Sequence, residues 1–151
     1  DPTIDAEAAA ELGAELLPLD EAVQRAQIVA VHAPTLPETH HLIGRRELAL
    51  MPDGAGLVNT ARSWLVDEGA LIDELRRGRI SAAIDVFDEE PFAADSPFRA
   101  LPGVLVTPHR AAGTNQGRLR QGRIVVDEIE AFADGRVLAH AVDRDQLSSM
   151  A

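Results

Sequence analysis

The sequence predicts an α/β protein whose centre is a parallel β-sheet. Short apolar runs at 28–33, 56–59 and 80–86 alternate with segments in which apolar residues recur at helical spacing. Runs of this length are typical of strands buried in a parallel sheet, where crossover helices cover both faces. The same alternation predicts right-handed crossovers between neighbouring strands.

Local signals place the remaining elements. Helical spacing predicts a first helix over 4–12, which Gly13 ends. We interpret residues 15–18 as a short edge strand, because Pro18 suits the end of such a strand. The other predictions are a helix over 21–26 with Asp20 as its N-cap, a loop over 34–39, a helix over 44–50, a helix over 68–77 capped by Asp67, an irregular loop over 87–102, a strand over 104–107 and a long helix over 115–133.

The long last helix carries an apolar stripe. We expect Ile124, Val125, Ile129 and Phe132 to face inward, because they recur at helical spacing. Gly135 then ends the helix, and the tail to residue 151 is expected to be mostly irregular.

Composition excludes several classes of protein. The chain has 151 residues, 46% of them hydrophobic, which suits one domain with a real core. It has no cysteine and no run of 18 apolar residues, so we expect no disulfide framework, no thiolate metal site and no membrane span. We see no signal peptide and expect a cytoplasmic protein. The net charge of −11 argues against a nucleic-acid partner, which would need a basic face.

Ionisable residues of complementary kinds follow three of the predicted strands. Arg62 follows one strand, Asp85 ends the next with Glu90 in the loop after it, and His109 follows the last. Ligands bind beyond the carboxyl ends of strands in open α/β sheets. A guanidinium can hold a carboxylate, an imidazole can exchange a proton, and a carboxylate beside it favours its charged form. Such a set is typical of reducing a carbonyl or oxidising an alcohol.

The motifs around these residues identify a family. The motifs are Asn-Thr-Ala-Arg at 59–62, Leu-Val-Asp-Glu at 65–68, Asp-Val-Phe-Asp-Glu-Glu-Pro at 85–91 and Thr-Pro-His at 107–109, supported by 32–34, 37–39 and 78–80. In this order and spacing they resemble the motifs of the D-isomer-specific 2-hydroxyacid dehydrogenases.

The resemblance implies roles for particular residues. Arg62 would bind the substrate carboxylate, Glu90 would pair with the histidine, and His109 would be the general acid and base. Asp85 would contact the nicotinamide end of NAD, and Asp1 would hydrogen-bond the adenosine ribose and favour NAD over NADP. The implied cofactor-binding set is Asp1, Ala33, Pro34, Thr39, Thr60, Ala61, Arg62, Asp85, His109 and Ala112.

The resemblance also implies an overall organisation. The expected fold is a doubly wound, Rossmann-like parallel sheet that lacks its first two strands and the Gly-rich phosphate loop. We therefore expect these residues to be the C-terminal portion of a longer polypeptide, which alone should bind NAD poorly. Residues 1–134 would form the incomplete NAD-binding domain, and residues 135–151 a tail returning toward a substrate domain. The family's usual state is a homodimer.

The sequence departs from the family pattern beside the arginine and the histidine. Ser63 stands where the family usually has Gly after the arginine, with Trp64 next to it, and Arg110 stands where the family often has an apolar residue. Trp64 either shapes the substrate pocket or only packs. Arg110 either adds positive charge near the substrate or faces water.

Simpler interpretations remain for each residue taken alone. A single Arg after a strand is more often a surface ion pair, and a Glu in an acidic loop is usually a solvated charge. His40 and His41 suggest a metal site, but no third ligand has suitable spacing, so we expect no metal.

The predicted function is an NAD-dependent oxidoreductase acting on a small D-2-hydroxy acid or 2-oxo acid. The alternatives are an NAD-sensing, partner-binding module of the corepressor type and an inactive truncated remnant.

Overall fold

A four-stranded parallel sheet forms the centre of the computed structural model, which describes residues 1–144. The strands lie in the order β1-β2-β3-β4 and pair in parallel throughout. They are β1 (Ile28–Val31), β2 (Gly56–Asn59), β3 (Ser81–Ile84) and β4 (Val104–Val106). The parallel α/β class is confirmed, and β1 lies at the edge of the sheet as expected.

Helices connect the strands close to the predicted positions. The α-helices of residues 1–144 are α1 (Ala6–Glu11), α2 (Leu19–Arg25), α3 (Arg45–Leu50), α4 (Glu68–Arg76) and α5 (Asn115–Ala133). Short 3₁₀ helices occupy Pro37–Thr39, Ser63–Leu65 and Pro97–Arg99. None of the helices in these residues is long and apolar enough to cross a membrane.

The core lies between one face of the sheet and the helices α2, α3 and α4. Strand side chains alternate between faces, so Leu57 and Ile84 point to the same side and both are buried. Leu48 of α3 and Leu71 of α4 are buried in the same cluster. The Asp67 carboxylate accepts a hydrogen bond from the backbone N–H of Ala70, so the predicted N-cap of α4 is confirmed.

The opposite face of the sheet is open. Ile28 and Leu105 lie on this face and are 67% and 65% exposed. The expectation that the strands are buried on both sides is therefore wrong for the described residues. The apolar runs report the composition of each strand, and they do not reveal which neighbours cover it.

The apolar stripe of α5 is exposed as well. The helix has its predicted bounds, and Gly135 follows it at φ +67°. However, Ile129 and Phe132 are 62% and 76% exposed, and Ile124 and Val125 are also exposed. The prediction that these four side chains face inward is wrong, because helical spacing defines a stripe without supplying a partner for it.

Two smaller predictions in the N-terminal part are wrong. Residues 15–18 form no strand, because the sheet ends at β1; Glu15 instead forms an ion pair with Arg25. Asp20 is not an N-cap, because α2 already begins at Leu19. Its carboxylate accepts two hydrogen bonds from the guanidinium of Arg46. Of the predicted tail, residues 145–151 lie outside the described part of the chain.

Candidate active site

The loops after β2, β3 and β4 begin at one level at the carboxyl edge of the sheet. Asn59 lies opposite Ile84, and Ile84 lies opposite Val106. Backbone pairing continues past the strand ends, since the N–H of Asp85 donates to the carbonyl of Asn59 at 3.0 Å. The shared register therefore brings the residues that follow these strands to the same edge.

Asp85 organises this edge from a buried position. Its side chain accepts hydrogen bonds from the Thr107 hydroxyl and from the backbone N–H groups of Arg110 at 2.7 Å and Ala111 at 2.8 Å. Burial by itself raises the pKa of Asp85, but these hydrogen bonds and the nearby His109 outweigh it and leave the pKa below its ordinary value. The ionised carboxylate thus holds the loop after β4 in place.

His109 has a left-handed backbone that this loop stabilises. Its φ is +50°, a conformation that non-glycine residues adopt at a cost. Its backbone N–H donates to the carbonyl of Asp85 at 2.8 Å. The backbone conformation of His109 is therefore fixed by Asp85, the residue that follows the neighbouring strand β3.

Glu90 and His109 form a direct pair. Oε2 of Glu90 lies 2.8 Å from Nδ1 of His109, and Oε1 accepts the backbone N–H of Phe87 at 3.1 Å. The hydrogen bond with His109, followed by that from Phe87, holds the pKa of Glu90 below its ordinary value. A carboxylate at Nδ1 favours the proton on that nitrogen and leaves Nε2 as the outward nitrogen. The imidazole is 47% exposed, so a ligand can reach it.

Arg62 lies at the same edge but does not join this pair. Its guanidinium is exposed and donates to the carbonyl of Ala61 at 2.6 Å. In residues 1–144, neither a hydrogen bond nor an ion pair links it to Glu90 or His109. The structure therefore brings two of the three predicted catalytic residues into contact and leaves the third exposed at the same edge, with one of its donors bonded to a backbone carbonyl.

Asn59 fixes the turn that carries the arginine. It is 2% exposed, its Oδ1 accepts the N–H of Ala61 at 3.1 Å, and its Nδ2 donates to the carbonyl of Arg62 at 2.9 Å. This role of Asn59 was not predicted from the sequence. The signal was present, because Asn59 falls on the same side of β2 as the buried Leu57 and a buried amide needs partners.

Most of the predicted cofactor-binding residues line the same edge. Ala33 and Pro34 follow β1, Thr60 and Ala61 follow β2, and Ala112 lies in the loop after β4. These side chains are small or exposed, which allows a flat ring to approach the backbone closely. The residues present fit the nicotinamide half of a dinucleotide.

Asp1 and Thr39 have other contacts. The Asp1 carboxylate accepts hydrogen bonds from the backbone and hydroxyl of Thr3, in a turn before α1. The Thr39 hydroxyl donates to the carbonyl of Pro34 at 2.6 Å and so shapes the loop after β1. Thr39 therefore supports this edge through the backbone, whereas Asp1 closes a turn before α1.

The fold is a parallel α/β sheet of the nucleotide-binding type, and its carboxyl edge carries a carboxylate-paired histidine. Residues 1–111 match the family described as "D-isomer specific 2-hydroxyacid dehydrogenase, NAD binding domain". The chain belongs to this family, and its cofactor class is NAD.

Individual relatives agree with this assignment. Glyoxylate reductase of Aeropyrum pernix is 43% identical over 89% of this chain and 41% of its own length. D-3-phosphoglycerate dehydrogenase of Methanocaldococcus jannaschii is 40% identical over 95% of this chain and 28% of its own. The crystal structure of D-lactate dehydrogenase with NAD⁺ from Lactobacillus jensenii superposes with a TM-score of 0.82 at 29% identity, over 95% of this chain and 47% of that one. This chain thus spans less than half the length of each of these three relatives.

Proposed function

We propose that the protein containing this chain is an NAD-dependent dehydrogenase of small D-2-hydroxy acids. It would interconvert a 2-hydroxy acid and the corresponding 2-oxo acid, with residues 1–134 serving as its NAD-binding domain and residues 135–151 leading toward its substrate domain. The observation that carries the proposal is the 2.8 Å contact between Glu90 and His109 at the carboxyl edge of the sheet.

The proton chemistry follows from that contact. In the reducing direction His109 donates the proton on Nε2 to the carbonyl oxygen of the substrate and becomes neutral. Glu90 stays ionised, accepts the hydrogen bond from Nδ1 and fixes the orientation of the ring. When bound, NADH supplies the hydride that C2 of the substrate receives.

Arg62 would hold the substrate. Its guanidinium is exposed, and its fork of donors matches a carboxylate in two parallel hydrogen bonds. The same positive charge would stabilise the negative charge that develops on the reacting oxygen. Asn59 supports this role because it fixes the backbone on both sides of Ala61.

Further features of the whole protein belong to the same proposal. Asp85 would contact the nicotinamide end of the cofactor, and its carboxylate also holds the loop after β4 in place. Asp1 supports NAD over NADP, because a carboxylate at the ribose would repel a 2′-phosphate. We propose a cytoplasmic homodimer whose substrate is a small 2-oxo acid; glyoxylate and 3-carbon acids are the first candidates, given the names of the relatives.

The proposal is tested with full-length protein, NADH and a panel of 2-oxo acids, by following NADH absorbance. His109→Ala should lower kcat by about 10²–10⁴-fold with little change in KM. Arg62→Ala should raise KM for the acid and also lower the rate. Arg118→Ala, an exposed arginine on α5, is the matched control and should change neither.

Undiminished activity of His109→Ala would remove this mechanism. A wild-type protein that binds NADH but reduces no 2-oxo acid would favour the partner-binding alternative, since such a module needs the nucleotide fold and no proton donor.

A further inference from the structure

Trp64 joins two loops that the proposed function uses for different ligands. We call residues 32–42, which follow β1, the β1 loop, and residues 60–66, which follow β2, the β2 loop. The β1 loop contains the proposed cofactor residues Ala33 and Pro34, and the β2 loop contains Arg62. Trp64 lies in the β2 loop, within the 3₁₀ helix Ser63–Leu65.

The β1 loop is closed on itself by one hydroxyl. Oγ1 of Thr39 donates to the carbonyl of Pro34 at 2.6 Å and accepts the backbone N–H of Leu36 at 2.9 Å. These bonds hold residues 34–39 together around the 3₁₀ helix Pro37–Thr39. A hydrogen bond from another loop to any of these residues therefore positions the whole segment.

The indole of Trp64 makes such a bond. Its Nε1–H donates to the carbonyl of Leu36 at 3.0 Å, and its backbone carbonyl accepts the N–H of His41 at 2.9 Å. The ring of His40 lies against the indole with 4.1 Å between centroids. Trp64 is nevertheless 41% exposed, so burial in the core is not the main contribution of this large side chain.

We propose that Trp64 is a positioning residue that holds the β1 loop at a fixed distance from Arg62. The proposal rests on the proposed function, because it assigns the β1 loop to the nicotinamide and Arg62 to the carboxylate. Hydride transfer needs the two ligands aligned closely, and small displacements remote from the reacting atoms lower the rate. A link between the two loops aligns the two ligands and also couples their binding.

The test uses full-length protein and the variant Trp64→Phe, which keeps an aromatic ring and removes the N–H donor. Calorimetry would measure the binding of oxamate, an unreactive 2-oxo acid analogue, with and without saturating NADH. We expect wild type to bind oxamate more tightly with NADH, and Trp64→Phe to lose about two- to tenfold of that enhancement, the size of one hydrogen bond. A second readout is kcat with NADH deuterated at the transferred position, where the variant should show a lower kcat and a larger isotope effect.

Arg118→Ala is the control. Arg118 is exposed on α5, outside the β1 loop and the β2 loop. The variant should leave the binding enhancement and the isotope effect unchanged.

The outcomes separate this proposal from the one on which it rests. Full enhancement and an unchanged isotope effect in a folded Trp64→Phe variant would overturn the positioning role, and an accompanying change in preference among 2-oxo acids would make Trp64 a wall of the pocket. Failure of the wild type to bind NADH and oxamate would instead overturn the proposed function and this inference with it. Equal thermal stability of variant and wild type would show that lost enhancement is not caused by unfolding.

Discussion

The two ends of the same strands differ in chemistry although they share one sheet. At the amino ends, on the open face, lies a concavity of about 560 Å³, lined by apolar, small and uncharged polar side chains such as Gln27 and Ser81. At the carboxyl ends lie the buried Asp85 and the Glu90–His109 pair.

This difference teaches that volume does not locate the site. A large apolar hollow at the amino ends can be filled by neighbouring protein, and nothing in it can move a proton. The carboxyl edge combines the buried, ionised carboxylate of Asp85, the left-handed backbone of His109 and the carboxylate of Glu90 that is hydrogen-bonded to the His109 ring. Such costly features are typical of functional sites, because only the surrounding contacts maintain them.

The largest effect is expected from breaking the carboxyl end of β3 while leaving its amino end intact. In full-length protein, Asp85→Ala should lower the free energy of unfolding by about 3 kcal/mol or more, because two backbone N–H groups and a hydroxyl lose a buried acceptor. It should also lower kcat/KM at least about 100-fold by releasing the loop of His109. The exposed Ser81→Ala, at the amino end of the same strand, should stay within about 0.5 kcal/mol of wild type.

Denaturant titration at several pH values sharpens this prediction. Folding lowers the pKa of Asp85, so its ionised form stabilises the protein above the ordinary aspartate pKa of 3.8, and the contribution is lost as the pH falls through the lowered value. The stability difference between wild type and Asp85→Asn should therefore narrow in acid. Equal losses in the free energy of unfolding for Asp85→Ala and Ser81→Ala would contradict the distinction drawn between the two ends of β3.

A smaller effect is expected from Asn59→Ala at the carboxyl end of β2. The N–H of Ala61 and the carbonyl of Arg62 lose their partner, which should cost roughly 1–3 kcal/mol of stability. Because the turn that carries Arg62 loosens, KM for the 2-oxo acid should rise about tenfold while KM for NADH changes less. Steady-state kinetics with each ligand varied in turn would measure this, with Gln27→Ala at the amino ends as the control that should change neither.

The sequence predicted the positions of the helices and strands, and the sheet edge that carries the site, better than it predicted which side chains are buried. The bounds of β2 and α5 were predicted correctly, and the cap at Asp67 was too, because each depends on residues within a few positions. The exposed stripe of α5 and the open sheet face were not predicted, since a pattern of apolar residues does not contain its partner. The absent strand at 15–18 has the same cause.

The candidate site shows a similar division. Motif order predicted that Glu90 and His109 would meet, and they do. The sequence did not show that the carboxylate of Asp85 accepts hydrogen bonds from the loop after β4. The three donors belong to residues more than 20 positions away in the chain. Long-range hydrogen bonds of this kind have no local signal.

The most direct test of the account is the pH dependence of kcat/KM in the reducing direction for wild type and Glu90→Gln. The hydrogen bond with His109 holds the pKa of Glu90 below its ordinary value, so Glu90 is ionised near neutral pH and loses its charge only in acid. We predict that Glu90→Gln lowers the rate about 10- to 100-fold near neutral pH, because the carboxylate that orients the ring of His109 is gone. We also predict that wild type loses rate in acid as Glu90 becomes protonated and that Glu90→Gln lacks this loss. A profile and rate equal to those of wild type would contradict the central claim that this pair transfers the proton.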